Sequence, residues 1–365
     1  MARSKSKVSR VAHSAPAVPP QRAAANLHAA DIDVGAEAHF VAVPPSEDPQ
    51  PVRGFGAWTA DLEALADWLA TCGITTVALE STGVSWSALF ELLETRGFEV
   101  LLVDPQQGQK IKGRPKSDVH DCQWIQRLHT FGLLAGAFRP TDQVCVLRSY
   151  LRQRAMLLTY ASQHIQHMQK TLTPMNVKLR HVVSDMTGVT GLAIIRAILA
   201  GERDPATLAQ LRDYRCKHDE TTIARALQGN GREEHLFALA QAVALYDISH
   251  QKITECDRQI EAYLQTFADR SEGQPLPPSP RPRMRGRNQP TFAVREPLHR
   301  LTGVDVTQIE GLDETTSLVI LSEIGLEMRR WPTVKHFTSW LGLCPHHRVS
   351  GGKVLSRQTT PCEGL

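Results

Sequence analysis

From residue 29 to about residue 140, short apolar runs alternate with stretches of helical spacing. Ile32-Asp33-Val34 and His39-Phe40-Val41-Ala42-Val43 read as two strands joined by a turn at Gly35. Trp58, Leu62, Leu65, Trp68 and Leu69 recur at the interval of one helix face, which predicts a helix over 58–71. Residues 75–79 predict a buried strand, 85–96 a helix and 99–103 another strand. This alternation implies an α/β sheet domain over residues 29–140.

After residue 140 the rhythm changes. Leu147, Leu151, Arg154, Leu158, Ala161, Ile165, Met168 and Leu172 are spaced 4, 3, 4, 3, 4, 3, 4. Leu239, Val243, Tyr246, His250, Ile253, Asp257, Ile260, Leu264 and Phe267 keep the same beat. Such runs predict long coiled-coil helices over 141–270, pairing either within one chain or between copies. Arg154, His250 and Asp257 fall on the seam, where a polar residue lowers stability but can set register and partner. Residues 271–297, with prolines and arginines, read as a linker. The remaining 298–365 read as a small, mostly helical domain. In it, Ile309-Glu310-Gly311-Leu312 before an apolar helix suggests a helix-hairpin-helix, whose turn could present amides to a DNA phosphate. Asp313 stands where many such hairpins carry a second glycine, and a purely structural helical hairpin would read the same way.

The 365 residues suffice for two or three domains. No uninterrupted apolar stretch is long enough to span a bilayer, and the N-terminus lacks an apolar signal core, so the expected location is the cytoplasm, with no membrane partner. A net charge of +3 does not by itself announce nucleic acid, but local charge adds to the picture. Residues 1–28 carry Arg3, Lys5, Lys7, Arg10 and Arg22 with no carboxylate, and read as a disordered basic tail. Arg281, Arg283, Arg285, Arg287 and Arg295 form a second basic run; either could grip phosphates or be simply solvated. Seven scattered cysteines without a Cys-x-x-Cys pair argue against a disulfide scaffold and a zinc ribbon.

Four carboxylates stand at telling positions. Asp33 closes the first strand, Glu80 follows the strand 75–79, and Asp118 and Asp121 share one face of a predicted helix. Strand-end carboxylates facing a helix pair suit Mg²⁺, a hard cation that takes oxygen ligands, and two such ions can serve both oxygens of a phosphodiester exchange. Taken singly, each could be a helix cap or a surface charge. Asp31 and Asp104 are rivals: Asp31 shares a strand face with Asp33, and Asp104 ends the strand 99–103.

The residues around these carboxylates carry a resemblance. The run Asp33-Val34-Gly35-Ala36-Glu37-Ala38-His39-Phe40-Val41-Ala42-Val43 resembles the first strand of the DEDD transposases of insertion sequences. Glu80-Ser81-Thr82-Gly83-Val84-Ser85-Trp86 is similar to their Glu-x-Thr-Gly-x-x-Trp segment, and Lys116-Ser117-Asp118-Val119-His120-Asp121 to their Lys-x-Asp-x-x-Asp segment. Trp340-Leu341-Gly342-Leu343-Cys344-Pro345 and Ser350-Gly351-Gly352-Lys353 resemble their C-terminal serine domain. The segments occur in family order across residues 29–360.

The resemblance implies an RNase H-like (resolvase-like) N-terminal domain with Asp33, Glu80, Asp118 and Asp121 as catalytic residues and ligands of two Mg²⁺ ions, favouring Asp33 over Asp31. It implies a C-terminal serine domain with Ser350 as a nucleophile that links covalently to DNA. It further implies DNA partners (the element ends and the target), a guide RNA, a dimer or tetramer, and work at the nucleoid. Without it, Ser350 would read as a turn residue. The competing functions are a Holliday-junction-type endonuclease using the carboxylates alone, and an inactive DNA- or RNA-binding remnant. Family members continue past the Ser-Gly-Gly-Lys region, so the chain is expected to be truncated, with weak activity and poorly packed apolar segments at 318–324 and 337–343.

Overall fold

The computed structural model describes residues 24–80, 85–103, 118–279, 286–344, 348–351, 353–356 and 359. Most of the basic tail, Asp104, Arg281, Arg283 and Arg285 lie outside the described residues, as do the side chains of Asp118 and Asp121. The chain divides into two compact units, Met1–Arg139 and Pro140–Leu365.

The first unit is built on a five-stranded sheet. Strand β1 (Ala29–Val34) turns back as β2 (Ala38–Ala42), which pairs with β3 (Val52–Gly56), a strand the apolar pattern did not suggest. The turn needs Gly35, because a Cβ there would lie 2.3 Å from the Ala38 carbonyl oxygen. Helix α1 (Thr59–Thr71) leads to β4 (Thr76–Glu80), and α2 (Trp86–Thr95) to β5 (Glu99–Val103). The order is β3-β2-β1-β4-β5, antiparallel on the hairpin side of β1 and parallel on the other. This mixed α/β arrangement is compatible with an RNase H-like fold. One sheet face, with Ile32, Val34, Val77 and Leu79, packs on Leu65, Leu69, Leu89 and Phe90 of α1 and α2. The other face receives helix α3 (Asp118–Thr130).

The second unit is organised by two long helices, α4 (Asp142–Leu172) and α9 (Glu233–Leu264). They pack together in antiparallel sense: Tyr263 donates its hydroxyl to the Gln143 carbonyl, and Arg154 meets Asp257. The seam residues Leu147, Leu151, Met168 and Leu172 on α4, and Leu239, Val243, Ile260 and Leu264 on α9, are all buried within the chain. Between them α5 (Leu179–Val182), α6 (Val189–Leu199), α7 (Pro205–Ala209) and α8 (Glu220–Ala226) form a small helical lobe. Its residues Leu179, Ile194, Ile198 and Ile223 share a core with Met168, Leu172 and Leu239.

Helices α10 (Arg295–Thr302), α11 (Glu314–Ile324) and α12 (Val334–Trp340) follow, then the hairpin β6 (Arg348–Ser350) and β7 (Lys353–Ser356). Three expectations change here. Residues 286–297, read as the end of a linker, are packed: Phe292 and Val294 are buried against Val144, Leu147 and Leu264, because the chain has apolar residues there to cover the helix pair. Leu318 and Leu321 of α11 are buried in the same cluster, so this helix has its packing partner. By contrast α12 has no buried residue; Trp331, Phe337 and Trp340 contact one another instead. Finally, Asp313 is the N-cap of α11 and accepts from Thr316 N at 2.6 Å. A carboxylate therefore occupies the position from which the hairpin would offer amides to a phosphate.

Candidate carboxylate site

Side chains alternate across a strand, so Asp31 and Asp33 share one face of β1. Asp31 pairs with Ala78 and Ile32 with Leu79 in the parallel register of β1 and β4. One residue further, that register sets Asp33 beside Glu80 on neighbouring strands, at the C-terminal ends of both. Ala78 belongs to the small cluster with Val103 and Ile125 of α3, so these carboxylates lie on the face that α3 covers. Asp33 and Glu80 are both partly exposed.

Helix α3 is fastened to the sheet by polar contacts that also fix its direction. His129 Nε2 lies 3.0 Å from Thr76 Oγ1, Gln126 Nε2 donates to Ala29 O at 2.9 Å, and the Cys122 thiol sits over the carbonyls of Asp31 (3.3 Å) and Phe40 (3.2 Å). Reading from His129 to Cys122, the helix moves from the N-terminal towards the C-terminal end of the central strands. Its first turn, which contains Asp118 and Asp121, continues in that direction. Cys122, Ile125 and His129 form the helical stripe that faces the sheet.

Asp31 has a different environment from Asp33. It is fully buried, and among the described residues neither carboxylate oxygen has a hydrogen-bond partner of ordinary geometry. Burial pushes its pKa well above the usual carboxylate range; the adjacent Cys122 thiol opposes this, while the charges of Glu80 and Asp33 add to it. Burial likewise raises the Cys122 thiol, with the Asp31 charge adding. The His129 imidazole is lowered to about 4 by burial. The sequence had marked Asp31 as a rival of Asp33, but nothing in its local pattern signalled burial without a partner.

A divalent metal would suit these donors chemically: the Asp33 and Glu80 carboxylates are hard ligands on one sheet face, beside the orphaned oxygens of Asp31. Among the described residues, no group of three or more His, Cys, Asp or Glu forms a metal site. The side chains of Asp118 and Asp121 are outside the residues so searched.

Ser350 belongs to the second unit. It is exposed, pairs with Lys353, and is followed by Gly351 at φ 57°, so it stands at the tip of the β6–β7 hairpin. This is the turn position that its Ser-Gly-Gly context suggests. Among the described residues no helix is long and apolar enough to cross a membrane.

Two family models match the chain. Residues 30–177 match the DEDD transposase model of the IS110 type, described as Transposase. Residues 305–364 match the model described as Transposase IS116/IS110/IS902 family. No curated protein matches the chain.

Proposed function

Because the chain belongs to the DEDD transposase family of insertion sequences, we propose that this DNA transposase cuts and rejoins strands with Asp33, Glu80, Asp118 and Asp121 as Mg²⁺ ligands and Ser350 as nucleophile. The observation that carries the reading is the β1–β4 register, which sets Asp33 beside Glu80 on the face covered by α3. Mg²⁺ bound there would neutralise phosphate charge and favour the attacking and leaving oxygens. The chain's own residues do the rest. Ser350 Oγ bonds to a phosphorus and loses its proton; the P–O bond to the adjoining deoxyribose breaks, and the departing oxygen takes up a proton. The reverse exchange joins the phosphate to a new hydroxyl and frees the serine. A guide RNA selects element ends and target, and at least two copies of the chain act together on chromosomal DNA in the cytoplasm.

The test is strand exchange on element-end and target DNA with the RNA encoded beside the gene. Asp118→Asn removes a charge with little change of shape and should abolish Mg²⁺-dependent cleavage while the melting temperature stays put. Ser350→Ala should abolish the covalent protein–DNA adduct. Full cleavage by Asp118→Asn would overturn the carboxylate assignment. An adduct that survives Ser350→Ala would overturn the nucleophile.

A further inference from the structure

The helical lobe between the two long helices carries a cavity of about 650 Å³ at the C-terminal end of α4. Lys170, Lys178, Arg180 and His181 line it, with the amides Gln169 and Asn176 between them. Among the described residues no carboxylate lines it. Lys170, Lys178 and Arg180 are exposed and take part in no ion pair among the described residues. Several other cations of the unit are answered: Arg196 by Asp247, Arg232 by Glu234, Lys252 by Glu255 and Arg287 by Asp185. Three uncompensated cations converging on one acid-free cavity repel each other, which is an arrangement an anionic ligand would relieve.

The cavity has a built floor and rim. Leu172, Val177 and Met186 are buried beneath it. The loop from residue 173 to 178 is tied down by Lys178 N to Ala226 O at 2.8 Å, Asn230 N to Met175 O at 2.9 Å and Asn176 N to Thr173 O at 3.0 Å. Asn176 takes a left-handed conformation at φ 57°, uncommon for a residue other than glycine. A second cavity, of about 380 Å³, shares His181 and continues to Arg215, Lys217 and His218. Asp185 and Asp213 line it as well, Asp213 engaged by Arg215 and Asp185 by Arg287 and Thr187. His181 and Lys217 thus carry cationic or polar lining on into the second cavity, beside carboxylates that are already paired.

We infer that this lobe is a second nucleic-acid contact, gripping the phosphodiester backbone of DNA independently of sequence through Lys170, Lys178 and Arg180. The choice of DNA rests on the transposase reading; the anion-binding surface does not. The polar, cationic lining suits phosphate oxygens.

The experiment measures binding of the full chain to a labelled duplex of unrelated sequence across a salt series. Lys170→Gln/Lys178→Gln/Arg180→Gln should weaken binding at least tenfold near about 0.1 M salt, and make the salt dependence shallower by about 2 to 3. A control, Arg196→Gln/Arg232→Gln/Lys252→Gln, removes the same net charge from paired cations and should leave both readouts unchanged. Equal loss in the two variants, or no loss in the first, overturns the inference. So does a loss confined to a structured RNA probe with duplex binding intact. Asp118→Asn serves as the separate check on the transposase reading, since it should stop cleavage and leave this binding untouched.

Discussion

Asp31 and Asp33 stand two residues apart on one strand face, yet their surroundings assign them different parts. Asp31 is sealed under Cys122 with both oxygens unpartnered among the described residues, a buried polar group that lowers stability. Asp31→Ala is therefore expected to raise stability by about 1–3 kcal/mol in urea denaturation, with Mg²⁺-dependent cleavage retained. A loss of cleavage would make Asp31 part of the site rather than its neighbour. His129 gives the pH dependence. Its folded pKa is about 4 against 6.5 for the free side chain, so the folded state binds fewer protons between these values. Stability from this group is full above pH 6.5 and is lost as pH falls towards 4, by on the order of 3 kcal/mol. Urea melts at descending pH should show His129→Gln declining less steeply than the parent by about one proton; identical slopes would remove His129 as the cause.

At the scale of elements, the antiparallel pair α4–α9 is held by apolar layers interrupted at one polar level. There Arg154 Nε meets Asp257 Oδ1 at 2.5 Å, both side chains being almost fully buried. Asp257 Oδ2 also accepts from Thr291 N at 2.9 Å, and Arg154 donates to Asn288 O at 2.9 Å. The ion pair thus fastens residues 288–291 to the helix pair as well as joining its two members. Removing one partner strands a buried charge and a segment contact, so Arg154→Met should lose about 3–5 kcal/mol. Arg154→Met/Asp257→Leu should recover a large part of that, because no lone charge remains. A double-mutant cycle by chemical denaturation checks this; strict additivity would show that the pair acts as two independent residues.

For the whole molecule, each unit has its own core: Ile32, Leu65, Leu79 and Leu89 in the first, and the clusters along α4 and α9 in the second. Residues 24–139 expressed alone should therefore unfold in one cooperative transition, followed by circular dichroism. A gradual, non-cooperative melt would mean that the carboxylate unit depends on the rest of the chain. Most seam positions are covered within the chain, among them Leu147, Met168, Leu239 and Ile260, whereas Leu158, Ile165 and His250 are only partly buried.

Periodicity and the ordered segments around Asp33, Glu80 and Asp118 were enough to read the β1–β2 hairpin, α1, β4, α2, β5, both long helices and the family. These depend on local spacing, and local spacing is written in the chain. The strand β3 escaped because Val52-Arg53-Gly54-Phe55-Gly56 has two glycines and little apolar alternation; its strand state comes from pairing with β2. Which partner fills a seam is equally non-local. The heptads allowed pairing within or between chains, and only the fold joined Arg154 to Asp257 across more than a hundred residues. The candidate site divides the same way. The carboxylates could be named from their motifs, but the sheet register sets Asp33 beside Glu80 and the burial under α3 leaves Asp31 without a partner, because both follow from contacts between elements remote in sequence.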